Sequence, residues 1–367
     1  MGQYFMFLNL TRREAGGYGG KFGEDFGCNY NAVAKNLSKP TFPTKPPKEV
    51  ASFPNAHRSH LGLLASVPTE LIDIIFGFLF VPQHVAHFAA AHPLLGSQGF
   101  SRIVRIRAEI LGGITWHCSR VVLVGDYLWR AQNVDGLLPD DLRTDMVALG
   151  EELQTGEEGP DDRDPFSLYD FARTHFRGVK YNDVGPLSAL QNIEDKLVRA
   201  GLSWAQLRTA NRMDRTDSMR VDRMLSSSQP TLPPCHTSVL CNMTKRQCVR
   251  AQVLRRVRLD GYYGNTKTGD GDDSDSDEDQ NPHPSSLSIG LTVFFLTVCS
   301  DDWCFIPPYD GKEDDPLFKE MRTVVGKWAG DSLGVFGPED VEQDMVDVSE
   351  EVAHIVGKFL QEEGYSK

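Results

Sequence analysis

The sequence predicts an α+β protein: a short helical bundle near the N-terminus, and a larger β-rich domain built from segments on both sides of it. Three observations carry that prediction. Leu71, Ile72, Ile74, Ile75, Phe76, Phe78, Leu79 and Phe80 crowd the stretch between Pro68 and Pro82. As a helix this stretch is apolar nearly all round, so something must cover it on two or more sides. Stretches rich in β-branched and aromatic residues, Tyr4 to Leu10 and Arg120 to Val124, stand on either side of it and read as strands. Finally, a pair of motifs recurs in the same order. Phe7-Leu8-Asn9-Leu10-Thr11-Arg12-Arg13-Glu14 parallels Leu240-Cys241-Asn242-Met243-Thr244-Lys245-Arg246-Gln247. Trp116, ahead of Val121-Val122-Leu123-Val124-Gly125-Asp126, parallels Trp328-Ala329-Gly330-Asp331 ahead of Leu333-Gly334-Val335-Phe336. Chance could give either pair alone; two related β-units in one domain give both in register.

In chain order, residues 1–35 hold the first strand and a Gly-rich loop from Gly16 to Gly27. Residues 36–60 carry Pro40, Pro43, Pro46, Pro47 and Pro54 and read as an extended linker. Residues 62–111 read as helices. Pro68 suits a first helical position, Ser66 or Thr69 offers a capping oxygen, and Glu70 favours the positive end of the helix dipole. Pro82 breaks that helix. Val85, Phe88, Ala89 and Ala90 begin a second, which Pro93 ends. A third spans 98–111, with Ile103, Val104, Ile106 and Ile110 inward and Arg102, Arg105 and Arg107 outward.

Residues 112–263 form an α+β region. It contains a strand within 114–128, a helix near Asp141–Leu153, helical sequence over 186–225 with apolar spacing at Leu187, Leu190, Ile193, Leu197 and Val198, and a strand followed by a basic segment over 236–259. Residues 264–286 read as a disordered acidic loop. Residues 287–367 read as strands at 287–299 and 333–336 and an amphipathic helix from about Glu339 to Glu363.

Composition narrows the function classes. Hydrophobic residues make up 40% of the 367, enough to bury a core. A net charge of -13 argues against nucleic acid as a partner, because phosphate binding needs a basic surface. The apolar stretch Leu287 to Cys299 is too short to cross a bilayer, and Tyr4 to Leu10 lacks a basic lead and is too short for a secretory signal. A cytoplasmic or nuclear chain, not secreted and without a membrane partner, is expected. The odd count of cysteines (Cys28, Cys118, Cys235, Cys241, Cys248, Cys299 and Cys304) reads as free, buried thiols in a reducing compartment. The sequons at Asn9, Asn36 and Asn242 then carry no glycan, and Met6 stands where an N-myristoylation signal wants Ser or Thr.

Catalytic signatures are not evident. Gly16-Gly17-Tyr18-Gly19-Gly20-Lys21-Phe22 lacks both the first glycine and the Ser or Thr of a phosphate loop. The spacing of Cys235, Cys241 and Cys248, of Cys299 and Cys304, and of the pairs His57/His60 and His84/His87 does not match a zinc site. No cofactor, metal or catalytic residue is assigned. Ser274 and Ser276, in the acidic run Asp270 to Asp279, each have an acid three residues on and are candidate phosphorylation sites beside a plain solubilising role. The basic stretch Lys245 to Arg258 is either a solvated face, a partner for the acidic run or a nuclear import signal.

Leu64, Pro68, Glu70, Leu71, Ile72, Ile75, Phe76 and Leu79 fall in the pattern Leu-x-x-x-Pro-x-Glu-Leu-Ile-x-x-Ile-Phe-x-x-Leu. With the two short helices after it, the segment of about 62–105 resembles an F-box. The second half departs, with Ala89-Ala90-Ala91-His92-Pro93 where a Cys- or Arg-containing stretch is usual. Met1-Gly2-Gln3-Tyr4, Val124-Gly125-Asp126-Tyr127, Asn242-Met243-Thr244-Lys245-Arg246 and Trp328-Ala329-Gly330-Asp331 resemble blocks of uncharacterised fungal F-box-like proteins that begin Met-Gly-Gln-Tyr.

The resemblance implies a non-enzymatic substrate receptor of a cullin-based ubiquitin ligase. Its Skp-type adaptor would sit on those eight residues, and the remainder of the chain would hold a target protein. Two alternatives stay open. The chain is an intracellular interaction or scaffold protein with no ligase role and residues 67–80 are a core helix, or it is a hydrolase or transferase with a site assembled only in three dimensions.

Overall fold

The computed structural model describes residues 4–16, 20–21, 30–48, 58–126, 128, 136–154, 167–179, 185–201, 215–258, 286–301 and 323–362. It is a mixed α/β structure whose chain divides into two compact units. One comprises 1–39, 116–183 and 233–367, and the other 40–115 and 184–232.

The first unit is built on a sheet. Its elements are β1 (Tyr4–Asn9), β2 (Glu14–Gly16), β3 (Gly20–Lys21), α1 (Tyr30–Leu37), β4 (Ser119–Gly125), α2 (Asp140–Gln154), α3 (Leu168–His175), β5 (Arg177–Val179), β6 (Val239–Asn242), β7 (Gln247–Arg250), α4 (Ala251–Leu254), α5 (Ile289–Thr297), β8 (Val298–Asp301), β9 (Thr323–Val325), β10 (Ser332–Phe336), β11 (Val346–Asp347) and α6 (Ser349–Glu362). The sheet runs β11-β7-β6-β10-β4-β1-β2-β5, with β3 beside β1 and β8 joining β4 to β9.

That order is a palindrome, and its hydrogen bonds repeat across the centre. Phe7 pairs Leu123 as Leu240 pairs Val335, and Asn9 pairs Val121 as Asn242 pairs Leu333. The outer strands β5 and β11 run parallel to β2 and β7. The Asn9 side-chain oxygen accepts from Arg12 N at 3.0 Å, and that of Asn242 from Lys245 N at 2.9 Å. Both turns then put an arginine at positive φ, Arg13 and Arg246. Thr11 Oγ1 accepts from Arg120 N, and Thr244 Oγ1 from Ser332 N, each at 2.9 Å. Trp116 Nε1 donates to the Glu14 carboxylate at 2.8 Å, and Trp328 Nε1 to the Gln247 side-chain oxygen at 3.0 Å. At the centre Cys118 N donates to Leu333 O and Gly330 N to Val121 O, both at 2.8 Å.

The repeat extends to helices that the motifs did not announce. Trp116 N is held by Asn36 O at the end of α1, and Trp328 N by Leu296 O at the end of α5. Ser38 and Val298, the residues just after these helices, form equivalent parallel bridges to Val335 and Leu123. Helices α1 and α5 pack against each other. The unit is thus a pseudo-two-fold pair of one β-α-β motif, and the residues named in the two sequence motifs are largely those that make its hydrogen bonds.

Side chains alternate along the central strands. Phe5, Phe7, Val121 and Leu123 enter a core with Trp116, Trp328, α1 and α5, where Phe7 stacks on Trp116 at 5.5 Å. Leu8, Leu10, Val122 and Val124 enter a second core under α2 and α3. On the other half, Val239, Cys241, Cys248 and Phe336 form a smaller cluster with Val341 and Met345.

Several expectations are corrected here. Residues 287–299 are a helix followed by a strand. The apolar run is buried throughout α5, so its pattern has neither strand nor helix period. Ser288 caps it by accepting from Leu291 N at 3.2 Å, while Thr292 and Thr297 bond back to Ser288 O and Val293 O. The strand at 236–259 is a hairpin, β6–β7, and the final helix begins at Ser349 instead of Glu339. Residues 30–37, split between the Gly-rich and Pro-rich segments, are helix α1. Of the cysteines among the described residues, Cys241, Cys248 and Cys299 are buried, but Cys118 and Cys235 are exposed. The acidic run with Ser274 and Ser276 lies outside the described residues.

The second unit is helical: a 3₁₀ stretch (Arg58–Ser66), then αA (Thr69–Gly77), αB (Pro82–Ala90), αC (Pro93–Ile114), αD (Pro186–Gly201) and αE (Arg215–Ser227). One apolar cluster joins Ile72, Phe76, Val85, Ala86, Ala89, Leu95, Phe100 and Ile103 to Val221 and Met224 of αE. The bundle is therefore discontinuous in sequence. It is made from a segment inserted between α1 and Trp116 and from the connection between the two halves of the sheet.

Candidate functional site

The helical unit carries the sequence-predicted site residues, and αA sorts them into two groups. A helix advances about 100° per residue, so Ile72 and Phe76 share one face. Both are buried in the cluster, with Phe76 tilted against Phe88 at 4.9 Å. Pro68, Glu70, Leu71 and Ile75 are exposed, and Leu64 and Leu79 are half-buried. On the outward face Leu71, Ile74, Ile75, Phe78 and Phe80 are 49%, 53%, 37%, 73% and 67% exposed. The helix is apolar all round, as its sequence says, yet only one side is covered within the described residues.

Local details differ from the sequence reading. Pro68 is the residue before the helix, not its first turn, and no side chain caps αA; Ser66 Oγ donates to Leu63 O instead. Pro68 O accepts from Leu71 N and Ile72 N. At the other end Arg102 reaches from αC to the last carbonyls, Nε to Leu79 O and Nη2 to Gly77 O, each at 3.1 Å. Its guanidinium also lies over the Phe80 ring at 5.8 Å. Between αB and αC the segment 89–93 serves as a corner: the His92 ring accepts from Leu94 N at 3.2 Å, and Pro93 opens αC. Gly99 lets the helices meet, since a β-carbon there would stand 2.2 Å from that of Ala89.

Arg107, expected to face outward, is buried. Its Nε and Nη2 grip the buried Glu194 carboxylate of αD at 2.6 and 3.0 Å, and its Nη1 donates to Leu225 O and Ser228 Oγ at 2.7 and 2.8 Å. The signal was present in the spacing. Glu194 completes the stripe Leu187, Leu190, 194, Leu197, and Arg107 sits between Ile106 and Ile110. Two opposite charges on the apolar faces of two helices invite each other.

A cleft of about 500 Å³ opens between αA and αC, with Asp73, Phe76 and Gly77 on one wall and Ser97, Gln98, Ser101, Arg102 and Arg105 on the other. Around αA, Asp73 and Gly77 fall between the buried Phe76 and the exposed Ile74. The cleft thus borders the apolar face.

Elsewhere among the described residues, Cys118 and His117 resemble a catalytic pair, with Sγ 3.2 Å from Nε2. His117 Nδ1 is 3.0 Å from Leu37 O, so that nitrogen carries the proton and Nε2 accepts. Burial pushes the Cys118 thiol up and, as the largest effect, the His117 imidazole down. The pair therefore rests as thiol and neutral imidazole, without the activated thiolate that nucleophilic catalysis uses. Among the described residues no group of His, Cys, Asp and Glu is placed to hold a metal ion, and no helix is long and apolar enough to cross a membrane. Comparison with protein-family models, curated proteins and solved structures found no match.

Proposed function

We propose that the helical unit is an adaptor-docking module of the F-box kind and that the chain is a substrate receptor for a cullin-based ubiquitin ligase. The Skp-type adaptor would cover the outward face of αA, and the rest of the chain would hold the target. The supporting observation is the exposed face itself. Leu71, Ile74, Ile75, Phe78 and Phe80 stand in water on a helix whose start carries the F-box-like pattern. Covering a large apolar side chain fully is worth about 1.5–3 kcal/mol. Ile72 and Phe76 contribute by holding αA to the bundle, while Ile74, Phe78 and Phe80 join Leu71 and Ile75 as contact residues.

Affinity purification from the host tests this. Wild-type protein is expected to bring down the adaptor. Leu71→Ala, Ile75→Ala and Phe78→Ala are each expected to lose it while leaving melting unchanged, since central contacts in an interface cost about 2 kcal/mol or more on truncation. Wild-type binding that survives all three variants would sink the docking reading.

A second reading, an interaction protein with no ligase role, is favoured by one observation. The cluster under αA includes Val221 and Met224 from a distant segment, whereas an F-box segment of about 62–105 would be expected to close its own core. Absence of the adaptor from the purification, with another protein held by the same residues, decides for it.

A further inference from the structure

The cleft beside the apolar face holds two charges that the chain leaves unused. Asp73 on αA and Arg105 on αC both line it, and neither makes an ion pair or hydrogen bond among the described residues. One turn away, Arg102 is occupied in capping αA. In Arg105 a free guanidinium stands on a wall shared with Ser97, Gln98, Ser101 and Arg102, whose side chains add no negative charge. The opposite wall carries the Asp73 carboxylate, beside Phe76 and Gly77.

We propose that this cleft is the polar, selective part of the adaptor-docking surface. It takes a carboxylate side chain of the partner onto Arg105, with a partner cation set against Asp73, while the neighbouring Ile74 and Phe78 take its apolar residues. This rests on the docking reading above and adds which partner surface is accepted: an apolar ridge flanked by an acid and a base. Charge complementarity identifies the occupant. A planar guanidinium suits a carboxylate through two parallel hydrogen bonds, and charges at the edge of an apolar contact suppress wrong partners and speed encounter with right ones.

The test measures binding of a purified Skp-type adaptor to the full chain and to Arg105→Glu, Asp73→Lys and Phe78→Ala, at low and high sodium chloride. Reversal at Arg105 is expected to weaken binding about tenfold or more, mainly through slower association. The salt dependence should flatten, and the melting temperature should hold, because Arg105 has no partner to lose. Asp73→Lys is expected to act in the same direction. Phe78→Ala should weaken binding at every salt concentration. If wild type binds and Phe78→Ala weakens it while both charge reversals bind as wild type does, the cleft proposal is overturned and the docking reading survives. If wild type does not bind, both fall.

Discussion

Removing the Arg107 guanidinium should cost more than any other single polar change in the helical unit. Both partners of the Arg107–Glu194 pair are essentially dry, with side chains 1% and 2% exposed. Arg107→Met keeps much of the stem that packs beside Ile103 and Ile106, but leaves a carboxylate in an apolar interior. Breaking a buried pair from one side costs about 3–5 kcal/mol, well above the ~1 kcal/mol of an exposed pair. Glu194→Gln, which keeps an acceptor and removes the charge, should cost about 1.5–3 kcal/mol, the range of a hydrogen bond to a charged group. The double variant Arg107→Met, Glu194→Leu should recover most of the loss, because an apolar pair of similar volume often equals a buried ion pair. Ser228 keeps a bond to Met224 O and so is not stranded. Hydrogen exchange reads the effect where it belongs: amides of αD and αE should lose protection in Arg107→Met, since this arginine joins segments 87 and 121 residues away. A loss below ~1 kcal/mol, or a double variant no better than the single one, would refute the account of the pair as a closed, mutually dependent unit.

Two further outcomes follow from the pseudo-symmetry and from two histidines. Cys118 and Gly330 occupy equivalent positions at φ 56 and 76, a region that costs an L-residue about 1–2 kcal/mol. By denaturant titration Gly330→Ala should destabilise by about 2 kcal/mol or more, since its β-carbon would also meet Leu137 O at 2.4 Å, whereas Cys118→Gly should be neutral or stabilising. His117, half-buried, and His87, which keeps a solvent-exposed edge, are both held below the usual imidazole range, chiefly by partial desolvation. A lowered folded pKa means that their contribution is present above the unfolded value of about 6.5 and is lost as pH falls from there toward the folded values. The melting temperature should therefore drop between about pH 7 and pH 5, and His87→Gln with His117→Gln should flatten that drop.

What was legible in the sequence was what repeats with local chemistry attached. Asn9 and Asn242 announce their turns because an Asn side chain closes such a turn by itself. Trp116 and Trp328 announce theirs because a buried indole needs an acceptor, and Glu14 and Gln247 occur at matching places. Helices α1 and α5 lack a legible signal for opposite reasons. Tyr30–Leu37 sits between a Gly-rich and a Pro-rich stretch that set the expectation on both sides, and Ile289–Thr297 has no polar face to show a period. Arg107 reads as outward by its charge, although its neighbours Ile106 and Ile110 mark an inward face. The outward face of αA was legible as a surplus of apolar residues; which of them face out was not, because period alone does not rank the sides of a helix that is apolar all round.

The repeat also bears on why the helical unit is discontinuous. In the second half of the sheet, the chain leaves α5 along β8 and returns through β9 to Trp328. In the first half, at the matching place after α1, it enters the helical unit and returns to Trp116. The tryptophan contacts are matched in both halves although different segments are inserted there. The helical unit depends on a second segment, 184–232, which is also the connection from β5 to β6. A bundle closed by Arg107 across that division cannot complete its core until the chain has passed residue 228. The exposed face of αA, by contrast, lies wholly within the inserted segment. Variation under that face is tied to Val221 and Met224 of αE.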